Sequence, residues 1–390
     1  MATDISRVLI VHNRYQLRGG EDAVVESEAA LLAEQGVAVH SHVVSNDEIN
    51  HRNKAVVAVE SIWSARQSRV LTDVIRAHRP QVVHVHNTFP LLSPAVYWTC
   101  QQLGVPVVQT LHNFRLACPQ AMFLREHRVC EDCLGHVPWR AVQHRCYRDS
   151  ALQSLVSAAN ITVHRALGTY RHKVDRFIAL NGFCRDKFIE MGLPADKVVI
   201  KPNFVAAVAE PNWGERAGGL YVGRLSPEKG MDALLGAWDH LSQQGRPVEL
   251  QVVGKGEFEE AWRQRGDAVY LGFKTLPEVI AQMRRSLYMV VPSIWYENFP
   301  RTIVEAFSVG LPVIASRIGA LAELIEDGVT GLLVEPGNAR DLADKMQWAQ
   351  ANPQAMLAMG RNAHERYRTR YAPEVNLAEL MAIYRDVQKR

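Results

Sequence analysis

The sequence lacks the long apolar runs and the strong charge imbalance that would assign it to a membrane or to nucleic acid. Across 390 residues, no segment approaches the roughly 18 consecutive apolar residues of a membrane-spanning helix. The N-terminus enters a short apolar run at 8–11 and shows no apolar core of a signal peptide. The net charge is only +3, and no nucleic-acid-binding module is recognised. We therefore expect a cytoplasmic enzyme without a nucleic-acid partner.

Cysteine is also scarce, with six residues in the chain. In a reducing cytoplasm we expect thiols or metal ligands rather than disulfides. Four of them, Cys118, Cys130, Cys133 and Cys146, fall in one segment. Cys-x2-Cys is a common half-site for tetrahedral zinc, whereas the two flanking cysteines have no partner at short spacing. Two interpretations stay open, a structural zinc site that braces the segment or packed thiols, and a catalytic metal is not expected.

Apolar strand-like runs alternate with helical stretches along the whole chain. This alternation predicts α/β architecture with parallel sheets covered by helices on both faces, and the length favours two domains. In such doubly wound sheets, ligands bind at the carboxyl ends of the strands. The predicted strands are 8–11, 37–44, 82–86, 106–111, 176–180, 197–200, 220–223, 249–254, 269–272, 289–292, 312–315 and 331–334.

The alternation is interrupted at two places. An insert at about 113–150 is rich in Arg, Cys, His and Pro, and we predict a structured excursion there rather than sheet. Between 202 and 218, small, polar and proline residues crowd without periodicity, which indicates a domain boundary. The predicted domains are therefore 1–205 and 206–372, with 373–390 forming a helix that crosses back to the N-terminal domain.

Two carboxylates flank a helix start in the segment 293–306. A buried parallel strand precedes the segment, and a proline suits the first position of the helix. We therefore predict Glu297 in the strand-to-helix loop and Glu305 between one and two turns into the helix. Exposed amides at this helix start would attract a phosphate. The helix start comprises Phe299, Pro300 and Arg301.

A second charged turn lies at 223–230, where another strand gives way to a helix. Arg224 offers a fork of donors and Lys229 a point charge, so together they can hold a diphosphate. The alternative is a solvated turn in which Ser226 caps a helix. The acid pair at another strand end favours the diphosphate interpretation, because both motifs occur in the same structural context.

These motifs resemble those of a known family. The turn Arg-Leu-Ser-Pro-Glu-Lys-Gly at 224–230, the Glu-x7-Glu segment at 297–305 and the run Gly-Leu-Pro-Val-Ile-Ala-Ser at 310–316 closely resemble the retaining GT-B glycosyltransferases of family 4. The resemblance covers the C-terminal half densely and the N-terminal half at sparser points. It implies two Rossmann-like domains that face an interdomain cleft, and a nucleoside diphosphate sugar as the donor.

The resemblance also implies separate roles for the charged residues. Arg224 and Lys229 would bind the diphosphate together with the helix start at 299–301, Glu305 would bind the ribose hydroxyls, and Glu297 would contact the donor sugar near the reacting centre. Fixed cations and helix-start amides stabilise the charge that a leaving diphosphate gains, without a metal. Retention of configuration rests on the resemblance alone. The sequence shows no candidate nucleophile that would favour a covalent intermediate over a front-face mechanism.

Two points in the N-terminal half are carried over by the same resemblance. By itself, the pair Gly19-Gly20 indicates a tight turn, but the family has here a glycine loop that faces the diphosphate and the acceptor. A single histidine is usually packed or solvated, but the family places one at the position of His112, against the donor sugar. His84 and His86 could mimic a metal-binding pair. We instead expect both to be buried in a strand, with His86 acting near the adjacent loop.

A basic stretch interleaved with aromatic residues surrounds the cysteine-rich insert. One interpretation is solvated surface with internal ion pairs. The other is peripheral contact with anionic headgroups at the inner face of the membrane, or with a lipid-pyrophosphate acceptor. The residues concerned are Arg115, Arg125, Arg128, Arg140, Arg145, Arg148, Arg165, Arg171 and Lys173, with Phe114, Phe123, Trp139 and Tyr147.

The sequence as a whole predicts a metal-independent hexosyltransferase. It would move a sugar to the hydroxyl of a saccharide or lipid-linked acceptor during surface polysaccharide or glycolipid biosynthesis. A GT-B sugar phosphorylase or a nucleotide-sugar epimerase is an alternative, which the intact Glu-x7-Glu segment disfavours. A zinc-stabilised binding module without activity is a second alternative, against which the retained Arg224, Lys229 and His112 argue.

Overall fold

The computed structural model describes residues 5–245, 248–265 and 268–389. The chain divides into two compact units. The first contains the chain up to Phe123, Cys130–Asn203, and the segment that starts at Asn376; the second contains Leu124–Val129 and Phe204–Val375. Residues 1–4 of the predicted N-terminal domain and residue 390 of the predicted terminal helix lie outside the described residues.

Short apolar runs form the strands at the predicted places, with ends that differ by a few residues at most. The first strand extends furthest beyond its prediction, because polar residues continue the pairing at both of its ends. The strands are β1 (Arg7–Arg14), β2 (Ala38–Ser45), β3 (Val82–Asn87), β4 (Val107–Thr110), β5 (Leu124–Arg125), β6 (Arg128–Val129), β7 (Arg176–Ala179), β8 (Val198–Ile200), β9 (Gly219–Val222), β10 (Leu250–Val253), β11 (Val269–Gly272), β12 (Tyr288–Val291), β13 (Val313–Ser316) and β14 (Gly331–Val334).

Helices connect these strands, and many of them begin at an Asn, Ser or Thr whose side chain can cap the first turn. The terminal helix starts at a proline, as the sequence predicts. The helices are α1 (Gly20–Glu34), α2 (Lys54–Ile62), α3 (Ala65–His78), α4 (Ala95–Gln102), α5 (Trp139–Gln143), α6 (Ala151–Ala166), α7 (Thr169–His172), α8 (Gly182–Glu190), α9 (Met231–Gln243), α10 (Glu259–Arg263), α11 (Leu276–Arg285), α12 (Arg301–Ser308), α13 (Gly319–Leu324), α14 (Ala339–Ala351), α15 (Pro353–Arg366) and α16 (Pro373–Gln388).

A six-stranded parallel sheet forms the centre of the first unit, in the order β2-β1-β3-β4-β7-β8. The strand order reverses between β1 and β3, which is where doubly wound folds bind ligands. Leu380, Tyr384 and Val387 of α16 are buried in the same apolar cluster as Val8 and Ile10 of β1. The terminal helix thus belongs to the core of the first unit.

A second six-stranded parallel sheet forms the second unit, in the order β11-β10-β9-β12-β13-β14. This order is the one typical of dinucleotide-binding folds, and it reverses between β9 and β12. Trp238, Trp262 and Tyr288 are buried in its apolar core. The two sheets confirm the predicted doubly wound α/β architecture.

The insert departs from the prediction in one detail. Strands β5 and β6 pair as a short antiparallel hairpin, whereas the prediction for this segment was a structured excursion rather than sheet. Glu126 and His127 form its tip with positive φ angles of 51° and 58°. With only two residues in each strand, the hairpin has no hydrophobic periodicity from which it could be predicted. Within the described ranges, no helix is both long and apolar enough to cross a membrane.

Candidate active site

The two charged motifs of the second unit follow β9 and β12, the neighbouring strands at which the order of the sheet reverses. Gly230 has a φ of +76°, and a Cβ atom there would lie 1.8 Å from the carbonyl oxygen of Pro292. The backbone N–H of Ile294 donates a hydrogen bond of 3.0 Å to the carbonyl of Glu228. The loop after β9 therefore packs directly against the loop after β12, and only glycine fits at the contact.

An ion pair joins the two motifs. The ammonium group of Lys229 lies 2.6 Å from Oε1 of Glu297, and the hydroxyl of Ser293 donates to the same oxygen over 2.6 Å. The Lys229 ammonium also lies 5.5 Å from the centre of the Trp295 ring. Glu297 is only 6% exposed. The charge-assisted hydrogen bond from Lys229 and the hydrogen bond from the Ser293 hydroxyl hold its carboxylate in one orientation.

Arg224 presents its guanidinium to solvent. Its side chain is 72% exposed and lies 3.6 Å from Glu228, and the backbone carbonyl of Arg224 accepts a hydrogen bond from Tyr221. Ser226 precedes the 3-10 turn Pro227–Lys229, but its hydroxyl donates to the Glu228 carboxylate instead of capping the turn. The predicted Ser226 cap is therefore wrong, and the exposed guanidinium of Arg224 is accessible to solvent and to an anion.

Glu305 lies in the second turn of α12, as predicted. It is 8% exposed, and burial raises the pKa of its carboxyl, while Arg301 at 3.9 Å acts in the opposite direction. The helix begins at Arg301, so Pro300 is the residue before the first helical position rather than that position itself. The ring of Phe299 packs edge-on against Tyr371, with 6.0 Å between ring centres.

A third loop at this edge of the sheet was missed by the sequence reasoning. Gly254 and Gly256 follow β10 with φ angles of +145° and +157°, and Cβ atoms there would lie 1.8 and 2.2 Å from the carbonyls of Gly223 and Leu225. Lys255 lies between them and is exposed. Its backbone carbonyl accepts a hydrogen bond from the N–H of Leu225. A Gly-x-Gly sequence directly after a strand was the signal that could have identified this loop.

In the first unit, the predicted glycine pair lies where the loop after β1 enters α1: Gly19 is the residue before the helix and Gly20 is its first residue. Gly19 is exposed and extended, with a φ of −118°, and a Cβ atom there would meet nothing closer than 4.0 Å. The Asp22 carboxylate accepts the Gly19 N–H at 2.8 Å and lies 2.8 Å from Nε2 of His12. The backbone geometry does not require glycine here, so the loop is open to a ligand rather than forced into a tight turn.

Glu21, directly after the glycine pair, is a second residue to which the sequence reasoning gave no role. Burial raises the pKa of its carboxyl to about 8, and a hydrogen bond from Tyr15 opposes this effect. The side chain of Asn113 donates to Glu21 over 3.4 Å. An acid in the first turn of a helix ordinarily pairs with the helix dipole at the surface, so its sequence position did not indicate a half-buried carboxyl with a raised pKa.

His112 follows β4 at the end of the strand, as predicted, and its partner is His86. Nε2 of His112 lies 2.9 Å from Nδ1 of His86, with 5.2 Å between the ring centres and 16° between the ring planes. Burial holds the pKa of both imidazoles well below the ordinary value. His84 is buried between the hydroxyls of Tyr384 and Thr110, at 2.8 Å from each. Both strand histidines are therefore polar core residues.

Glu28, His84 and His86 bring three candidate metal-ligand atoms within 4.8 Å of one another. However, the buried ammonium of Lys201 lies 2.7 Å from Oε1 of Glu28 and 3.0 Å from the Asn376 side chain. A positive charge already neutralises the carboxylate, so the group is better described as a buried ion pair than as a cation site.

Three cysteines of the insert act electrostatically on the thiol of the fourth, Cys133. Burial first, and then the neighbouring Cys118, Cys146 and Cys130, raise the pKa of the Cys133 thiol to about 11. Cys118 and Cys133 are buried, and all four belong to the first unit. Among the described residues, the group of three candidate metal ligands whose atoms lie within 4.8 Å of one another is Glu28, His84 and His86, and it includes none of these cysteines.

The predicted basic stretch separates into two groups. Arg115 lies over the rings of Phe89 and Tyr147, and Arg165 donates to the backbone carbonyls of His136 and Leu116, so these two stabilise the insert. Lys173 lies over Trp98 in the same manner. The exposed members are Arg128, Arg140, Arg145, Arg148 and Arg171, and Arg125 is half-buried.

Two protein-family models match the chain. The model for glycosyl transferases group 1 matches residues 213–366, and the model for Glycosyltransferase Family 4 matches residues 18–207. The chain belongs to the group 1, family 4 glycosyltransferases. The predicted resemblance to family 4 glycosyltransferases and the predicted glycosyltransferase class are confirmed, whereas retention of configuration stays a prediction.

This glycosyltransferase is 26% identical over 298 residues to an alpha-D-kanosaminyltransferase of Streptomyces kanamyceticus, across 75% of the chain and 73% of the relative. It is 32% identical over 182 residues to a phosphatidyl-myo-inositol mannosyltransferase of Mycobacterium leprae, across 43% of the chain and 46% of the relative. Among solved structures, Anabaena Alr3699/HepE in complex with UDP is similar, with a TM-score of 0.66 and 18% identity across 96% of the chain and 99% of that structure. This likeness shows the GT-B fold.

Proposed function

We propose that this glycosyltransferase moves a sugar from a nucleoside diphosphate sugar to an acceptor hydroxyl, with retention of configuration. The observation that carries the proposal is the Lys229–Glu297 ion pair, which unites the two motifs at the point where the strand order of the second unit reverses. The UDP and UDP-glucose complexes of Alr3699/HepE support a nucleotide-sugar donor.

Each charged side chain then has a separate task. Arg224 and Lys229 bind the diphosphate with the amides at the start of α12, and Glu305 binds the ribose hydroxyls. As the diphosphate leaves, its negative charge grows, and these fixed cations stabilise that charge without a metal. Glu297 positions the donor sugar, because two hydrogen bonds to its Oε1 orient the carboxylate.

The first unit contributes His112, Gly19 and Gly20. His112 hydrogen-bonds a hydroxyl of the donor sugar, and the open glycine loop leaves room for the diphosphate and the acceptor. Retention follows a front-face course, in which a phosphate oxygen of the leaving group takes the proton of the acceptor hydroxyl.

A donor screen tests this proposal. The purified protein is heated with UDP-, GDP- and ADP-linked sugars, and a donor is identified by a rise in Tm. The product formed with lipid-linked saccharides is then examined by NMR, which should show the anomeric configuration of the donor. An inverted product would refute retention. Failure to bind or hydrolyse any nucleotide sugar would instead favour the inactive binding module.

We further propose that the acceptor is a saccharide or lipid-linked saccharide of a surface polysaccharide or glycolipid, reached at the inner face of the membrane. The mannosyltransferase relative acts, by its name, on a phosphatidylinositol. Val137 and Trp139 are 68% and 63% exposed beside the exposed Arg140, a combination suited to an anionic lipid surface. Flotation with phosphatidylglycerol vesicles should recover the protein, and Trp139→Ala should reduce recovery. Equal recovery with phosphatidylcholine vesicles would refute a charge-dependent contact.

We also propose that Cys118, Cys130, Cys133 and Cys146 bind a structural zinc ion. Four thiolates suit tetrahedral zinc, and the electrostatic effect of Cys118, Cys146 and Cys130 on the Cys133 thiol supports the site. Metal analysis of freshly purified protein should give one zinc per chain, and Cys133→Ser should lose it. Cys100→Ser is the control, because Cys100 is buried outside the group. Protein without stoichiometric zinc would leave packed thiols as the correct interpretation.

A further inference from the structure

The partner of His112 is itself in contact with a buried acid. Nε2 of His86 lies 3.5 Å from Oε2 of Glu28. Both atoms are buried, and neither has a hydrogen-bond partner that meets the usual distance and angle. The other carboxylate oxygen of Glu28 is held by the ammonium of Lys201 at 2.7 Å. Glu28, His86 and His112 thus form a chain of side chains that runs from the interior of the first unit to the end of β4.

We propose that Glu28 and His86 are positioning residues that fix the tautomer of His112, so that His112 keeps its proton on Nε2 and presents the lone pair of Nδ1 to a hydroxyl of the donor sugar. The contact between His112 and the donor sugar rests on the proposed function, whereas the position of the proton on His112 does not.

The direction of the chain follows from proton counting. Burial holds the pKa of both imidazoles well below the ordinary value, so each ring is neutral and carries one proton. Only one proton can occupy the 2.9 Å contact between Nδ1 of His86 and Nε2 of His112. Two arrangements are therefore available. If His112 carries its proton on Nε2, its Nδ1 has a free lone pair; if Nε2 accepts from His86, Nδ1 carries the proton.

The carboxylate of Glu28 selects between these arrangements. If His86 carried its proton on Nδ1, the lone pair of its Nε2 would face Oε2 of Glu28, and two buried acceptors would repel each other. With the proton on Nε2, His86 donates towards the carboxylate and accepts from His112 at Nδ1. His112 then holds its proton on Nε2, and its Nδ1 is an acceptor.

The neighbouring histidine offers a matched contrast. His84 lies on the same strand with equal burial, but both of its nitrogens are engaged with the hydroxyls of Tyr384 and Thr110. It is 3.8 Å from Oε2 of Glu28 and has no hydrogen bond to His112 among the described residues. Substitution of His84 should therefore disturb the core without changing the proton position on His112.

The test reads the tautomer directly, without substrate. Protein labelled with 15N in its histidine rings is examined by NMR at pH 7.5, and His112→Gln identifies the His112 signals. We expect an unprotonated Nδ1 and a protonated Nε2 on His112 in the unmodified protein and in His84→Asn. His86→Asn, which keeps an acceptor near the position of Nδ1, should retain this pattern, and His86→Phe should lose it. A proton on Nδ1 of His112 in the unmodified protein would overturn the inference.

Kinetics with a donor from the screen supply the second readout. His86→Phe should lower kcat about tenfold or more at saturating donor, and His86→Asn should restore most of this loss, because it again accepts the Nε2 proton. An equal loss in both variants, or in His84→Asn, would refute the positioning role. If the NMR pattern is as expected and no nucleotide sugar is used, the proposed function fails and the tautomer assignment stands.

Discussion

The ammonium of Lys229 lies 2.6 Å from the carboxylate of Glu297, and this ion pair joins the loop after β9 to the loop after β12. The two side chains depend on each other. Removal of Glu297 would leave the half-buried Lys229 without its counter-charge, and removal of Lys229 would leave the buried Glu297 without its own. A diphosphate bound by Lys229 would approach the same ammonium that Glu297 already contacts. Lys229 is therefore the side chain expected to contact both the diphosphate and the acid that positions the sugar.

Glu297→Gln separates the charge of this residue from its shape. The amide can still accept from Ser293, but it no longer opposes the charge of Lys229 or orients the sugar as a carboxylate does. We expect kcat to fall about 100-fold, the scale of effect that small misplacements produce, with the Kd for the nucleoside diphosphate within threefold of wild type. Isothermal titration and steady-state kinetics measure the two quantities. A parallel loss of nucleotide affinity would show that Glu297 acts in donor binding.

Glu305→Ala should have the complementary effect. Hydrogen bonds to a charged group contribute about 1.5–3 kcal/mol, so loss of the ribose contact should raise the donor KM at least about tenfold. At saturating donor, kcat should stay close to wild type. Glu335→Ala, at an exposed acid of the same unit, is the control. An unchanged donor KM accompanied only by a lower Tm would remove the ribose assignment.

Gly230→Ala tests the packing of the two loops. Gly230 and Gly328 have φ angles of +76° and +75°, but a Cβ atom on Gly230 would lie 1.8 Å from a backbone oxygen, whereas nothing lies within 4 Å at Gly328. Gly328→Ala should cost about 1–2 kcal/mol for the left-handed conformation alone. Gly230→Ala should cost a further 1–3 kcal/mol or so from overpacking and should also weaken donor binding. Urea unfolding compares the two, and equal losses would contradict the close contact.

The pKa of Glu21 gives a pH dependence of stability. Burial raises it from an ordinary value of 4.5 to about 8, so the folded state binds more protons than the unfolded state between these values. Stability from this group is complete below about pH 4.5 and is lost as pH rises towards 8, with a slope of up to about 1.4 kcal/mol per pH unit. Glu21→Gln should remove this slope, and Glu26→Gln on the exposed side of α1 should not. Urea unfolding between pH 5 and 8 measures the difference.

The strands and the second-unit motifs were predictable because local pattern determines them. Buried parallel strands are continuous apolar runs, and the acid and Lys-Gly segments are each contiguous in sequence. The contacts between Glu28 and Lys201, and between His86 and His112, join residues that are far apart in the chain, and no periodicity encodes them. The β5–β6 hairpin was too short to show a pattern.

Asn376 and Tyr384 of α16 contact Lys201 and His84 in the interior of the first unit. These two residues follow the main segment of the second unit in the chain, so the core of the first unit is completed by a segment that is remote in sequence. A chain truncated before Asn376 would leave Lys201 and His84 without their partners from α16 and would expose an incomplete polar core to proteolysis.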